Sequence, residues 1–378
     1  MTPPILPGST VGVFGSGQLG RMFAVEARKL GYRVHTYSPA SSTPTGAMAD
    51  VEIAADYDDL DAVREFARGV DVVTFEFENV SANAAAAAAE IIPVRPDGTL
   101  LYTTQNRLRE KQYLRARGFP VTDFTAVDSP AGLRKALDSM GELILKTTSW
   151  GYDGKGQARI RRGDSVENAW NTLDTDCAIA EKLVDFEAEL SVVVARGAGG
   201  EIRSFEVTRN DHVNGILDLS VCPSGFDTGI LEEAQEIARG IARTSHLVGV
   251  LCIEMFLDSD GRILVNELAP RPHNSGHWTF DAAVTSQFEQ QLRAICGLPL
   301  GETRRTVPAV AMVNLLGDLW NEQEPHWGAA LEMDGIKLHL YGKGDARPGR
   351  KMGHITAYGQ SPGEAKERAL EARRRLTG

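Results

Sequence analysis

The chain has 378 residues, 42% of them hydrophobic and 24% charged, with a formal net charge of −11. That length provides for two to three domains with buried cores. The acidic excess argues against a surface that coats nucleic acid, and no apolar run approaches the roughly 20 residues of a membrane span. The opening MTPPILPGST has neither the basic nor the apolar region of a signal peptide, so the expected compartment is the cytoplasm. Cys177, Cys222, Cys252 and Cys296 are scattered without a CxxC pair, which indicates neither a disulfide framework nor a zinc site. Cys252 lies inside an apolar run and reads as a small core residue.

The chain begins in α/β fashion. Val11–Phe14 reads as a buried strand, Gly15-Ser16-Gly17-Gln18-Leu19-Gly20 as a GxGxxG loop, and a helix runs from about Leu19 to Leu30 and stops at Gly31. Val34–Thr36 is a second strand. Loop amides and a helix N-terminus favour an anion. The second strand, however, ends in Tyr37-Ser38-Pro39, with no acid for a ribose diol, so an NAD assignment is weak. The loop either holds a phosphate or allows close helix–strand packing. Asp59–Arg68 reads as helix and Val70–Phe77 as a strand. Glu76 and Glu78 leave the carboxyl end of that strand, where α/β proteins place ligand contacts, although one of them could merely cap the next turn. Ala84–Ala89 is helix-forming, and the first domain ends between Pro93 and Asn106.

A polar helix follows over Arg107–Gly118, and most of its charges (Arg107, Arg109, Glu110, Lys111, Arg115) read as a solvated face. Glu142–Lys146 is a short strand ending in Lys146. The stretch Ser149–Gln157 is glycine-rich: Gly151, Gly154 and Gly156 let backbone amides approach a polyphosphate, and Lys155 adds a positive charge. The spacing is not that of a Walker loop, and a flexible hairpin loop is the competing reading. Ile179–Leu183 and Leu190–Ala195 are strands bracketing Glu181, Asp185, Glu187 and Glu189. Glu181, at a strand end, suits a ribose hydroxyl or an adenine amine. Phe205–Thr208 reads as a strand, His212 as a residue of a polar loop, and Glu232–Ser245 as an amphipathic helix.

The most informative stretch is Leu251–Trp278. Leu251–Leu257 and Ile263–Glu267 are apolar and partly β-branched, and Asp258-Ser259-Asp260-Gly261 between them predicts a hairpin. Pairing outward from the turn sets Glu254 opposite Val265, with Glu267 its diagonal neighbour on the same face. Two such carboxylates are costly to bury without a cation between them, and oxygen ligands of this kind suit Mg²⁺. Asn266 points to the other face or to a neighbouring ligand. Pro270, Arg271, Pro272, His273, Asn274, Ser275, Gly276 and His277 then form a loop that two prolines keep out of any helix, a platform for a substrate. Beyond Leu300, Val307–Leu316 and Ile336–Tyr341 are strands. The basic turn Lys343–His354 carries Lys343, Arg347, Arg350 and Lys351, a grip for a phosphate monoester or else a solvated turn. Glu364–Arg375 is a charged terminal helix.

The run Asn266–His277, with Gly15–Arg21, Thr74–Glu76, Gly151–Gln157 and Arg347–His354 in the same order, resembles the N5-carboxyaminoimidazole ribonucleotide synthetases, ATP-grasp enzymes of purine biosynthesis. The resemblance covers nearly the whole chain. It implies a mixed α/β and α+β fold: a Rossmann-like domain over 1–104, a two-lobed ATP-grasp domain over 105–305 with a mobile lobe near 120–190, and a small β-rich domain over 306–378. It implies carboxylation of 5-aminoimidazole ribonucleotide through carboxyphosphate, with ATP and bicarbonate as co-substrates, Mg²⁺ (Mn²⁺ as an alternative), and a homodimer without nucleic-acid or membrane partners.

The same resemblance implies roles for individual residues. Arg107, Lys146 and Lys155 contact ATP phosphates, together with the loop residues Gly151, Tyr152, Asp153, Gly154, Gly156 and Gln157. Glu181, Lys182, Leu183 and Val184 line the adenine pocket, Glu189 takes the ribose, and His212 lies nearby. Glu254 and Glu267 hold the metal, with Asn266 beside them. Arg271 orients bicarbonate and carboxyphosphate. Glu76, Tyr152, Asp153, His273, Asn274 and Ser275 surround the aminoimidazole, and Lys343, Arg350 and Lys351 grip the ribose phosphate. Asp153 or His273 accepts the amine proton. Ser149-Trp150 departs from the small residues common in the family. The alternatives are a sister ATP-grasp ligase (a formate-dependent glycinamide ribonucleotide transformylase or a biotin carboxylase), an NAD-dependent oxidoreductase, and a nucleotide-binding regulator.

Overall fold

The computed structural model describes residues 3–149, 156–320 and 324–377. The N-terminal part is a parallel sheet of β1 (Thr10–Phe14), β2 (Arg33–Ser38), β3 (Val51–Ala54) and β4 (Val72–Phe75), in the order β3-β2-β1-β4. β1 and β4 are buried throughout, as expected of parallel strands covered on both faces. Helices α1 (Gln18–Lys29), α2 (Leu60–Arg68), α3 (Ala82–Ala89) and α4 (Gly98–Thr104) accompany them. α1 starts at Gly17, which has no side chain to cap it. Glu76, just beyond β4, does so instead: the Gly17 N–H donates to Oε1 at 2.7 Å and the Gly20 N–H to Oε2 at 3.3 Å. Within the chain itself the positive end of α1 is met by the Glu76 carboxylate.

Helix α5 (Arg107–Ala116) leads to an antiparallel sheet of β5 (Phe124–Val127), β6 (Leu143–Thr147), β7 (Gln157–Ile160) and β8 (Ala178–Lys182), in the order β5-β8-β6-β7. α6 (Pro130–Met140) and α7 (Val166–Leu173) cover it through Leu133, Leu137 and Val166 packed against Leu143, Leu145 and Ile160.

The third sheet is built from β9 (Phe186–Arg196), β10 (Ile202–Ser204), β11 (Thr208–Val213), β12 (Ile216–Cys222), β13 (Gly249–Asp258), β14 (Ile263–Ala269), β15 (Ala309–Leu316), β16 (Ile336–Leu340) and β17 (Lys351–Gly359). Their order is β14-β13-β9-β11-β12-β15-β17-β16, with β10 added to β9, so the ladder runs without a break past residue 306. Helix α8 (Thr228–Thr244) covers one face through Ala234, Ala238 and Ile241 against Val192, Leu251 and Ile253. On the other face lie Trp278, the short α9 (Thr279–Ala282) and α10 (Gln287–Cys296), against Val193 and Cys252. Alternation along β9 and β13 therefore puts Ser191 and Glu254 on the Trp278 face. α10 also packs on the N-terminal part, through Phe288, Leu292 and Ile295 in one cluster with Phe23 of α1 and Val34 of β2, and so ties it to the large sheet. α11 (Trp327–Leu331) and α12 (Pro362–Arg374) close the far end.

Several expected elements shift. Phe205–Val207 lies outside any strand: the apolar alternation there records burial of Phe205 and Val207 on opposite faces, and the ladder begins only at Thr208. His212 sits in β11 rather than a loop, and Lys351–His354 is the start of β17, which confines the basic turn to residues before Lys351. Gly15 has φ +103, and a Cβ there would lie 2.4 Å from Glu76 Cγ. Gly15→Ala is thus expected to cost about 2 kcal/mol or more through backbone strain and crowding. Urea unfolding checks this by a lower midpoint at an unchanged slope; an unaltered midpoint would show that Glu76 can vacate the loop freely.

Candidate active site

The hairpin β13–β14 carries the two acids, but its register differs from the simple outward count. Glu254 pairs directly with Glu267, and Met255 with Val265, which leaves Asn266 as the extra residue of a β-bulge. The bulge brings the two carboxylates face to face instead of diagonally. Burial, and after it the Glu267 carboxylate, pushes the Glu254 carboxyl up to about 8. On the other side β13 pairs with β9, placing Ser191 beside Glu254. A polar row thus crosses an otherwise apolar sheet face.

The Pro270–His277 loop closes over this row. The Arg271 guanidinium is bidentate to Glu78, at 2.5 and 2.6 Å. Burial opposes the charge on Glu78, yet the Arg271 guanidinium holds its carboxyl below the ordinary value. His273 Nε2 lies 3.3 Å from Glu254 Oε1, and its backbone is held at both ends by Gln287, whose Oε1 accepts at 2.8 Å and whose Nε2 donates at 2.7 Å. Asn274 is buried and neither polar atom of its amide has a partner among the described residues, an arrangement suited to a bound ligand. Ser275 is fully buried and accepts from Ser191 Oγ at 2.8 Å.

Lys146, on β6, reaches Glu181 on β8 at 2.6 Å. Glu181 is 4% exposed. Its carboxylate faces two ammonium groups, Lys146 and the buried Lys111, so its contact is to these lysines. Burial alone would raise Glu181; Lys111 and Lys146 overcome it and hold the carboxyl at about 2. Leu183 and Val184 are half-buried in the segment joining the two antiparallel sheets, Lys182 is exposed, and the Leu183 N–H donates to Glu142 O at 3.0 Å. Glu189 contacts His212 Nδ1 at 2.5 Å. Burial lowers His212, but the Glu189 carboxylate raises it overall. Arg107 donates to Thr147 O at 3.0 Å, at the start of the glycine-rich stretch. Gly156 has φ +68, and Gln157 opens β7. Gly151, Tyr152, Asp153, Gly154 and Lys155 lie outside the described residues. In the C-terminal part, Lys343 Nζ donates to Lys351 O at 2.7 Å and Arg350 to Asp345 O at 2.6 Å. The positive charge of Lys351 is felt at Glu254, Glu78 and His273, and that of Lys343 at Glu76. The basic strand start therefore lies near enough to Glu254 for its charge to act there.

Sequence reasoning passes over Glu110 and Lys111 as parts of a solvated face, and this is corrected: they are 3% and 2% exposed. Lys111 Nζ donates to Val265 O at 3.0 Å, and Glu110 accepts from Leu268 N–H at 3.3 Å, so α5 clamps the back of β14. The one signal for this in the sequence is that Glu110, Lys111 and Leu114 share a helical stripe. Glu78 is legible as a ligand contact, but not as the holder of Arg271. Ionised Glu181 contributes stability above about 4.5, lost as pH falls towards about 2. Glu181→Gln should accordingly be less stable than the parent by roughly 3 kcal/mol at neutral pH. Melting temperatures followed against pH should show that gap narrowing between those two values; a gap still full near pH 2 would remove the lysines as its cause.

This arrangement agrees with known proteins. A model of the ATP-grasp domain matches residues 112–288, one of the ribonucleotide synthetase preATP-grasp domain residues 9–105, and one of the phosphoribosylaminoimidazole carboxylase C-terminal domain residues 310–368. The N5-carboxyaminoimidazole ribonucleotide synthase of Bacillus subtilis is 43% identical over 355 residues, 93% of this chain and 92% of that one. Its counterpart from Brucella melitensis is 42% identical over 353 residues, 93% and 96% of the two chains. Among solved structures, an N5-carboxyaminoimidazole ribonucleotide synthetase in its ADP complex superposes with a TM-score of 0.92 at 42% identity over 98% of both chains. The Aspergillus clavatus enzyme in complex with ADP and 5-aminoimidazole ribonucleotide gives 0.90 at 31% identity, over 97% of this chain and 99% of that one. With the acid pair, the clamped arginine and the histidine loop in place, the chain belongs to the N5-carboxyaminoimidazole ribonucleotide synthetase family of ATP-grasp enzymes.

Proposed function

We propose that the chain uses ATP and bicarbonate to carboxylate 5-aminoimidazole ribonucleotide to N5-carboxyaminoimidazole ribonucleotide, in purine biosynthesis. The observation that carries this reading is the face-to-face Glu254–Glu267 pair directly against the Arg271–His273–Ser275 loop, with the positive charge of Lys351 felt at Glu254. A nucleotide site and a platform for an anionic substrate thus share one cleft. Burial first, and then repulsion from Glu267, lift Glu254; a divalent cation relieves both, so two carboxylate donors fit Mg²⁺, with Mn²⁺ as an alternative. Bound there, the ion supplies positive charge that offsets repulsion between bicarbonate and the γ-phosphate.

Lys146, Arg107 and Lys155 hold the phosphates, and Leu183 and Val184 border the adenine. A bicarbonate oxygen attacks the γ-phosphorus, the bond to the bridging oxygen breaks, and ADP leaves. Arg271, fixed by Glu78, holds the resulting carboxyphosphate. Its C–O bond to phosphate then breaks, and CO₂ is released beside the amine. The amine nitrogen forms the new N–C bond and gives its proton to Asp153. Glu76, Asn274 and Ser275 border the aminoimidazole, and Lys343, Arg350 and Lys351 grip its phosphate. The carboxyphosphate is an intermediate that water would destroy, so the site has to exclude water around it. The matched models support units near 1–104, 105–305 and 306–378. The same reading makes the chain a cytoplasmic homodimer; no helix among the described residues is long and apolar enough to cross a membrane.

ADP release from Mg-ATP and bicarbonate tests the assignment. Strong stimulation by 5-aminoimidazole ribonucleotide is expected, whereas stimulation by glycinamide ribonucleotide with formate would transfer the chain to the sister ligase. Glu78→Gln keeps the shape but removes the charge that clamps Arg271, and steady-state kinetics should show kcat lower by about tenfold or more. The KM for Mg-ATP should hardly move. An unchanged kcat would mean that Arg271 does not depend on Glu78.

A further inference from the structure

His273 is joined to a buried chain of hydrogen bonds that starts on β12. There Ser220 Oγ donates to Asn210 Oδ1 at 2.7 Å; Asn210 Nδ2, on β11, donates to Ser191 Oγ at 2.9 Å; and Ser191 Oγ, on β9, donates to Ser275 Oγ at 2.8 Å. Ser275 Oγ lies 2.9 Å from His273 Nδ1. All four residues of the chain are at most 4% exposed, so no solvent competes for these groups. Each hydroxyl has one proton to give. Ser191 receives from the Asn210 amide and gives its own proton to Ser275, which leaves the Ser275 proton for Nδ1.

A second observation gives the same direction. The backbone N–H of Ser275 also points at His273 Nδ1, at 3.3 Å. A backbone amide can only donate, so this longer contact adds to the tautomer that the shorter Ser275 Oγ contact sets. The ring proton of neutral His273 therefore sits on Nε2, the nitrogen 3.3 Å from Glu254 Oε1.

We infer that Ser220, Asn210, Ser191 and Ser275 form a positioning relay that locks His273 in its Nε2-protonated tautomer, so that His273 serves the site as a hydrogen-bond donor and not as the base. This rests on the carboxylation reading, and it assigns a task to Ser191, Asn210 and Ser220, which the roles above leave without one. A neutral imidazole with its proton already on the nitrogen facing the cleft has no lone pair there to accept one from the amine. Nε2–H, 3.3 Å from Glu254 Oε1, instead presents its proton to the cleft, and Asp153 is left as the acceptor of the amine proton.

Full-length protein labelled with ¹⁵N-histidine tests the relay, with His273→Asn identifying the signal. The expected spectrum has a bare Nδ1 and a protonated Nε2 for His273. Ser191→Ala should mix the tautomers and lower kcat by about tenfold at an unchanged KM for Mg-ATP. Ser191→Thr, which keeps the hydroxyl, should restore both. A wild-type proton on Nδ1, or a Ser191→Ala protein with tautomer and kcat intact, overturns the proposal. The spectrum needs no turnover, so it decides the relay even where the carboxylation assay fails.

Discussion

Two carboxylates facing each other across one rung of a sheet are the constraint around which the rest of the molecule is arranged. Glu254 and Glu267 would separate if the hairpin kept a regular register; the bulge at Asn266 brings them opposite. Such a pair is tolerable only where the surroundings are rigid and the nearby charge is balanced. The balance here is local. Glu181 sits between Lys111 and Lys146, and Arg271 is paired with Glu78. Each of these charges has its opposite within hydrogen-bond or salt-bridge distance. The buried, mutually unfavourable pairing of Glu254 with Glu267 is left as the feature that a bound cation would relieve.

The N-terminal part meets the same need differently. The positive end of α1 and its glycine loop look made for a phosphate, yet the Gly17 and Gly20 amides hold Glu76. Burial pushes the Glu76 carboxyl up, while those amides and the charge of Arg271 pull it back. A glycine loop that resembles a dinucleotide site is thereby turned into a rigid mount for one acid at the cleft. Any side chain at position 17 would collide with that acid, because a Cβ on Gly17 would lie 2.7 Å from Glu76 Oε1.

What can be read from the sequence follows a physical divide. The hairpin, the acid pair and the PRPHNSGH loop are legible because turn chemistry, strand apolarity and polar residues fall within one short stretch. Misreadings arise where partners are distant in sequence. Lys111 looks solvated on its own helix, and only Val265 and Glu181, far along the chain, bury it. The bulge is invisible because a count outward from the turn assumes one residue per rung. His212 reads as a loop residue because its neighbours are polar, whereas β11 carries a polar face where the cleft lies against it.

The loop Arg271–Ser275 illustrates why local pattern is enough to find the site but not to explain its geometry. Its sequence supplies the reactive groups, yet none of them is held by the loop itself alone. Arg271 is fixed by Glu78 from the N-terminal part, the His273 backbone by Gln287 from α10, and its ring by Ser275 and the serine and asparagine row of the large sheet. Each of these three supports comes from a different element, so a shift of any one element against the others moves a different atom of the cleft. A loop built this way needs the whole fold to be assembled before its donors point at one place. That dependence explains how a short run of prolines, histidine and arginine, unstructured by propensity, is held as a rigid platform.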